Sequence, residues 1–158
     1  MKILGIDPGT AIVGFGVVEA ISGKFKMIDG GVIKTPATES DSARLKIIAD
    51  ELGEIIKQTK PDVMAVEKLF FAQNVTTAMS VSQARGVILL AGEQNGLPVF
   101  EYTPLQIKQS LTGYGKAEKH QVQEIVRTIL KLKEVPKPDD CADALACALT
   151  HAMTGRFA

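Results

Sequence analysis

The chain has 158 residues, of which 46% are hydrophobic and 23% charged, and its formal net charge is zero. This length and composition are typical of one globular domain, so we expect residues 1–158 to form a single domain without a linker. The longest apolar runs fall well short of the roughly 18 residues that a membrane helix needs, and Asp7 interrupts the N-terminus where a signal peptide would be apolar. We therefore expect a cytoplasmic protein.

Charge is unevenly distributed along the chain. Residues 104–137 contain seven Lys or Arg against three Glu, and the remainder carries a matching negative excess. This segregation fits a basic rim beside an acidic pocket, but solvated helix faces would give the same pattern. Cys141 and Cys147 are six residues apart in one predicted helix and would face different directions, so we expect neither a disulfide nor a zinc site.

The first third of the chain predicts an antiparallel meander. Three runs rich in β-branched and aromatic residues, at 3–6, 13–20 and 25–34, are separated by the short turns Pro8-Gly9 and Ser22-Gly23. After Pro36 the apolar period becomes helical, and strands then alternate with helices. The expected helices are 42–59, 75–94 (capped by Asn74), 104–111, 119–132 and 139–154, and the expected further strands are 62–66 and 99–102.

This order predicts an α/β domain: a five-stranded mixed sheet, with the antiparallel meander followed by parallel strands, flanked by helices. A right-handed crossover would place the fourth strand beside the first. Asp7 and Glu67 would then lie at neighbouring strand ends, where such sheets bind ligands.

Four carboxylates could converge at this edge. Asp140 and Asp143 are three residues apart and share one face of the last helix, so they could join Asp7 and Glu67. Carboxylate oxygens suit Mg²⁺ or Mn²⁺ rather than zinc. Two such ions can clamp a phosphodiester, so the acids indicate phosphoryl chemistry on a polyanion.

Each acid also has a simpler interpretation. Asp7 could begin the Pro8-Gly9 turn, and Glu67 could begin a solvated loop. Asp139 and Asp140 could both cap the last helix. We assign the cap to Asp139 and the metal to Asp140, because only Asp140 has the three-residue spacing to Asp143.

Five ordered motifs carry a family resemblance over essentially the whole chain. They are ILGIDPGT with GFGVV behind it, AVEKLFFAQN, QARG, VFEYTPLQIKQSLTGYGKAEKHQV and DDCADALACALTH. Together they resemble the RuvC family of Holliday junction resolvases, which have a ribonuclease H-like fold. The resemblance implies a Mg²⁺-dependent endonuclease that nicks two strands of a four-way DNA junction, leaving 5′-phosphate and 3′-hydroxyl ends.

The resemblance also implies roles for particular residues and partners. The catalytic, metal-binding carboxylates would be Asp7, Glu67, Asp140 and Asp143, with Asp7 bridging two Mg²⁺ ions that Mn²⁺ could replace. Lys119 and Lys108 would act near the scissile phosphate and Phe70 at the junction centre. The family pattern further implies a homodimer and a RuvAB-like branch-migration helicase complex as partner.

Alternatives remain open at this level. Lys108 and Lys119 could be surface lysines and Phe70 could be buried core, as we expect of Phe71, while His120 and His151 are expected to be structural. Helix 75–94 is rich in small residues and could form the dimer face or simply pack on its own sheet. A sugar-kinase-like ATPase would need a second nucleotide loop that this chain lacks. A non-catalytic junction-binding protein is disfavoured by the four acids.

Overall fold

The computed structural model describes residues 1–69 and 75–154. It contains five strands and five helices within those ranges. The strands are β1 (Lys2–Asp7), β2 (Ile12–Ile21), β3 (Lys24–Lys34), β4 (Val63–Glu67) and β5 (Val99–Tyr102). The helices are α1 (Asp41–Thr59), α2 (Val75–Gln94), α3 (Pro104–Thr112), α4 (Lys119–Ile129) and α5 (Asp139–Thr154).

The five strands form one mixed sheet in the order β3-β2-β1-β4-β5, with β1 at its centre. The β1–β2 and β2–β3 pairs are antiparallel, whereas β4 runs parallel to both β1 and β5. The predicted fold class, the meander and the position of the fourth strand beside the first are therefore confirmed.

Helices cover both faces of the sheet, and each face has its own core. Alternation along β1 sends Ile3 to the face covered by α3, α4 and α5, and Leu4 to the face covered by α1 and α2. In β4 the same alternation sends Ala65 and Met64 to opposite faces, and both are fully buried. This explains why β4 has an uninterrupted apolar sequence.

Local capping determines where several helices begin and end. Ser40 caps α1 by accepting a hydrogen bond from the Ala43 N–H at 3.2 Å. Thr103 and Gln106 form a capping box at the start of α3, and Gly113 caps its C-terminal end with a φ of 74°.

The fourth helix is shorter than expected. It ends at Ile129 rather than at residue 132, because Lys131 adopts a left-handed backbone conformation with a φ of 54°. The Leu132 N–H then bonds the Arg127 carbonyl at 2.9 Å, and the Lys131 N–H bonds the Thr128 carbonyl at 3.2 Å. This hydrogen-bond pattern is that of a Schellman motif with a lysine in the position usually held by glycine.

Some expectations fall on residues that the structure does not describe, and one concerns membrane-spanning helices. Asn74, the expected cap of α2, lies outside the described residues, as do Phe70 and Phe71. Among the residues that are described, no helix is long and apolar enough to cross a membrane.

Candidate active site

Asp7 and Glu67 lie side by side at the ends of the two central parallel strands. Ile6 of β1 is in register with Val66 of β4, so the next residues of both strands emerge together at one sheet edge. Asp7 is the last residue of β1, paired with Gly14 of β2, and the chain turns only after it. The carboxyl groups of Asp7 and Glu67 are hydrogen-bonded to each other.

The electrostatics of this pair favour bound positive charge. Burial, followed by the neighbouring carboxylates of Glu67 and Asp143, raises the pKa of Asp7 to about 9. Burial also raises the pKa of Glu67, although the hydrogen bond from Asp7 and the cations Lys119 and Lys108 act in the opposite direction. Without a cation at the site, the pair therefore retains a proton at neutral pH.

The last helix brings the other two acids to the same place. Asp140 and Asp143 lie in the first turns of α5, and both raise the pKa of Asp7 through charge repulsion. The pKa of Asp143 is itself raised, mainly by burial, while Lys119 lowers it. Asp139 is the first residue of α5 and not a cap preceding it, and its carboxylate accepts a hydrogen bond from Gln123 at 3.3 Å.

Three glycines allow α5 to approach this closely, and the sequence analysis did not identify them. A Cβ atom at Gly14 would lie 2.0 Å from the Asp140 carbonyl oxygen, and one at Gly5 would lie 2.0 Å from the Ala144 carbonyl oxygen. A Cβ at Gly16 would contact the Leu145 side chain at 2.6 Å. The signal was present, because alternating glycines inside a strand indicate close approach of another backbone.

Lys119 connects α4 to these acids. It is the first residue of α4, and its Nζ lies 3.4 Å from carboxylate oxygens of both Asp139 and Asp143. Its side chain is 56% exposed, so the ammonium group can also contact a ligand. The neighbouring carboxylates raise its pKa against the effect of burial, which keeps it protonated.

A pocket of about 250 Å³ joins two of the acids to both predicted lysines. Polar side chains from four elements enter it: Glu67, Lys108, Lys119 and Asp143. Apolar side chains complete its wall: Pro104, Ile107, Val122 and Ala146. The pocket is thus lined by two carboxylates and two cationic side chains. This combination is suited to binding a phosphate group beside metal ions.

The described residues do not form a closed metal cage. In residues 1–69 and 75–154, no group of three or more His, Cys, Asp or Glu side chains is arranged to hold a metal ion. The donor set nevertheless fits a hard divalent cation, because its oxygens are carboxylates whose mutual repulsion such a cation would relieve. Asp7, Glu67, Asp140 and Asp143 are the residues that could supply those oxygens.

A hydrogen-bonded pair, half-buried Tyr102 and buried His151, lies next to the end of β4. Tyr102, in register with Glu67, has its hydroxyl 2.7 Å from His151 Nδ1, and the His151 ring packs on Phe100 at a centroid distance of 4.6 Å. Burial lowers the pKa of His151. His120, by contrast, is exposed with its Nδ1 3.2 Å from Glu118.

The two cysteines are free, as expected, and both are buried. Burial, with smaller contributions from Glu67 and Asp7, raises the pKa of the Cys147 thiol well above its usual range. The thiol therefore lies beneath the acids as a neutral packing group.

The sequence as a whole matches one family model. The model described as crossover junction endodeoxyribonuclease RuvC matches residues 3–151. A curated relative of that name from Brevibacillus brevis is 55% identical over 157 residues, covering 99% of this chain and 95% of the relative.

Solved structures give the same result for the fold. Thermus thermophilus RuvC in complex with a Holliday junction substrate is 41% identical, with a TM-score of 0.95 and coverage of 99% of this chain and 96% of that chain. The yeast mitochondrial Holliday junction resolvase Ydc2 is 15% identical, with a TM-score of 0.69 and coverage of 96% and 77%. This second likeness concerns the fold alone.

Proposed function

Because the chain belongs to the RuvC family of crossover junction endodeoxyribonucleases, we propose that it resolves four-way DNA junctions by paired, symmetric nicks during recombination and repair. The observation that carries this proposal is a pocket lined by Glu67, Asp143, Lys108 and Lys119, with Asp7 hydrogen-bonded to Glu67 beside it. We further propose that residues 1–158 act as one nuclease domain.

The four acids would hold Mg²⁺, as two ions per site, with Mn²⁺ as a substitute. When bound, such ions would activate water and neutralise charge on the leaving oxygen. The chain's own contribution is to hold Asp7 and Glu67 on rigid adjacent strands and Asp140 and Asp143 on α5. Hydrolysis of this kind would leave 5′-phosphate and 3′-hydroxyl ends.

The two lysines would have different roles. Lys119, 3.4 Å from Asp143, would stabilise negative charge that develops on the scissile phosphate. Lys108 lines the same pocket from α3 and would hold the DNA backbone. Phe70 belongs to the segment outside the described residues, and its stacking at the junction centre remains a proposal from the family pattern.

We propose that α2 forms the contact between two copies of the chain. Its inward side packs on the sheet through Ala84, Ile88, Ala91 and Gly92. Its outward side exposes Met79 and Leu90, at 64% and 54%, and a Cβ at Gly86 would contact nothing within 4 Å. A twofold dimer on this face would present two active sites to a twofold junction, so that two nicks are placed symmetrically.

Two proposals concern the cell. A RuvAB-like branch-migration helicase complex would deliver the junction, as the family pattern implies. The activity would be cytoplasmic, since the curated relatives are bacterial proteins named for cutting DNA.

A substrate panel tests this proposal. End-labelled four-way junction, linear duplex of the same sequence and single strand are incubated with the protein in Mg²⁺, in Mn²⁺ and in chelator. We expect nicks in the junction alone, in either metal and not in chelator. Equal cutting of the linear duplex would contradict junction selectivity, and cutting in chelator would contradict the metal requirement.

A further inference from the structure

A second pocket, of about 490 Å³, lies on the other side of the turn that follows Asp7. Three chain segments line it. They contribute Gly9 and Thr10 from the turn, Arg44 from α1, and Thr76, Thr77 and Ser80 from α2. None of the roles described above uses this pocket.

The lining chemistry is that of an anion site. Arg44 supplies a permanent positive charge, Thr10 and Ser80 supply hydroxyl groups, and no carboxylate is among the described residues that line the pocket. Arg guanidinium groups and hydroxyls are the side chains that bind phosphate oxygens in nucleic-acid complexes.

Hydrogen bonds fix Arg44 in place. Its Nε donates to Thr35 Oγ1 at 2.8 Å, and the Thr35 hydroxyl donates to the Thr10 carbonyl at 2.6 Å. The Thr10 and Ser80 hydroxyl oxygens are 2.5 Å apart. The Nε contact uses one of the five N–H donors of the guanidinium, and its partner is a neutral hydroxyl. Among the described residues, this contact positions the charge of Arg44 without an ion pair that would neutralise it.

The second pocket is close to Asp7 in the chain and lies on the side of the sheet opposite Lys108 and Lys119. Thr10 is three residues after Asp7, so their Cα atoms are no more than about 11 Å apart. Arg44 and Ser80 belong to the helices on one face of the sheet, whereas Lys108 and Lys119 belong to helices on the opposite face. A DNA strand that crosses the sheet edge over Asp7 and Glu67 would meet the lysines on one side and Arg44 on the other.

We propose that the pocket formed by Thr10, Arg44 and Ser80 binds a backbone phosphate of the cleaved strand close to the scissile one. The two sites are neighbours because Thr10 is only three residues after Asp7. Two anion sites flanking the acids would fix the direction and register of the strand. This inference rests on the proposed junction-cutting activity.

The test measures junction binding against salt concentration, in chelator so that no strand is cut. Arg44→Gln is compared with Lys46→Gln, because Lys46 is two residues along the same helix, is exposed, and pairs with Asp50 outside the pocket. Losing one phosphate contact reduces the slope of log K against log salt by about 0.9. We expect this reduction, with weaker binding, for Arg44→Gln and an unchanged slope for Lys46→Gln.

Phosphate replacement then locates the contact. A neutral methylphosphonate is placed at each of the three positions on either side of the scissile phosphate. One position should weaken binding of the unmodified protein and have no further effect on Arg44→Gln. Arg44→Lys, which keeps the charge, should retain the salt slope, and thermal unfolding of each variant verifies that the fold is intact.

Several outcomes would overturn the inference. They are an unchanged slope for folded Arg44→Gln, an equal loss for Lys46→Gln, or no methylphosphonate position whose effect disappears in Arg44→Gln. A pocket that takes only free inorganic phosphate would also leave DNA binding of Arg44→Gln unchanged. Failure of the proposed function can be distinguished from failure of this inference. If the proposed function is wrong, the unmodified protein itself shows no preference for the junction.

Discussion

The carboxyl groups of Asp7 and Glu67 share a hydrogen bond at the ends of adjacent parallel strands. Burial first, and then the neighbouring carboxylates of Glu67 and Asp143, raise the pKa of Asp7 to about 9, so the two acids are not both ionised without a compensating charge. The arrangement is therefore unfavourable for the metal-free fold and favourable for one that binds divalent cations. This relationship leads to the first prediction.

In chelator, Asp7→Asn should stabilise the protein at high pH. The pKa of Asp7 in the folded protein is about 9 against an ordinary value of 3.8, so its stabilising contribution is complete below pH 4 and is lost as the pH rises toward 9. Urea unfolding measures the free energy of unfolding at pH 5 and at pH 9. This free energy should decrease less between the two pH values for Asp7→Asn than for the unmodified protein. At pH 9 we expect Asp7→Asn to have a higher free energy of unfolding than the unmodified protein, because the variant has no buried carboxylate to ionise.

Glu54→Gln, at an exposed position of α1, is the control and should leave the pH dependence unchanged. With Mg²⁺ at about 100 times its Kd, the unmodified protein should gain roughly 2.7 kcal/mol and Asp7→Asn far less. Equal stabilisation of both by Mg²⁺ would mean that the ion binds elsewhere.

Gly14→Ala should displace the start of α5. The new Cβ would overlap the Asp140 carbonyl, and such overpacking destabilises a fold by about 1–3 kcal/mol. Because Asp140 and Asp143 would move with the helix, junction cleavage should fall by more than the loss of folded protein explains. Junction binding at the same concentration of folded protein should change less.

The matched substitution is Gly53→Ala, in α1, where a Cβ meets nothing within 4 Å. Replacing this helical glycine should stabilise the protein by about 0.5–1 kcal/mol without affecting cleavage. Normal cleavage by Gly14→Ala would show that close docking of α5 is not needed for the site.

Lys119→Gln should reduce cleavage much more than binding. Its ammonium group lies 3.4 Å from Asp143, and removing one group that stabilises transition-state charge lowers the rate by about 10²–10³-fold. Single-turnover cleavage of prebound junction measures this directly. Lys57→Gln, exposed in the last turn of α1, is the charge-matched control and should retain full activity. If Lys119→Gln weakens junction binding but cleaves prebound junction at the normal rate, Lys119 binds the DNA backbone and does not stabilise the transition state.

Met79→Lys should dissociate the proposed dimer. The side chain is exposed on the outward side of α2, and burying an ammonium group there would raise the dimer Kd by at least about tenfold. Sedimentation velocity over a concentration series gives the Kd. Ile21→Lys, at a similarly exposed position of the β2–β3 hairpin, should leave the dimer intact. If Met79→Lys dimerises like the unmodified protein, another surface forms the contact.

Much of this architecture follows from local sequence patterns. Turn signals and strand alternation were enough to predict the meander, and the crossover rule placed Glu67 beside Asp7. The three-residue spacing of Asp140 and Asp143 placed both on one helical face. These inferences succeed because each depends on neighbours along the chain or on a general rule of handedness.

Other features depend on tertiary contacts that a single sequence does not reveal. Lys131 ends α4 in a left-handed conformation for which glycine is the usual signal. The packing of Gly14 against Asp140 joins residues more than 120 positions apart in sequence. Arg44 reaches the turn after Asp7 only because α1 folds back over the meander, so the second pocket has no sequence motif of its own.

The central claim is that Asp7 belongs to a metal-dependent site that cuts four-way junctions. The most direct measurement is cleavage of a junction labelled on two opposing strands, made in Mg²⁺ with the unmodified protein and with Asp7→Asn, alongside junction binding of both in chelator. The account predicts nicks at symmetric positions of both strands by the unmodified protein, and no nicks by an Asp7→Asn variant that still binds. Full cleavage by Asp7→Asn, or a junction left uncut by the unmodified protein, would contradict it.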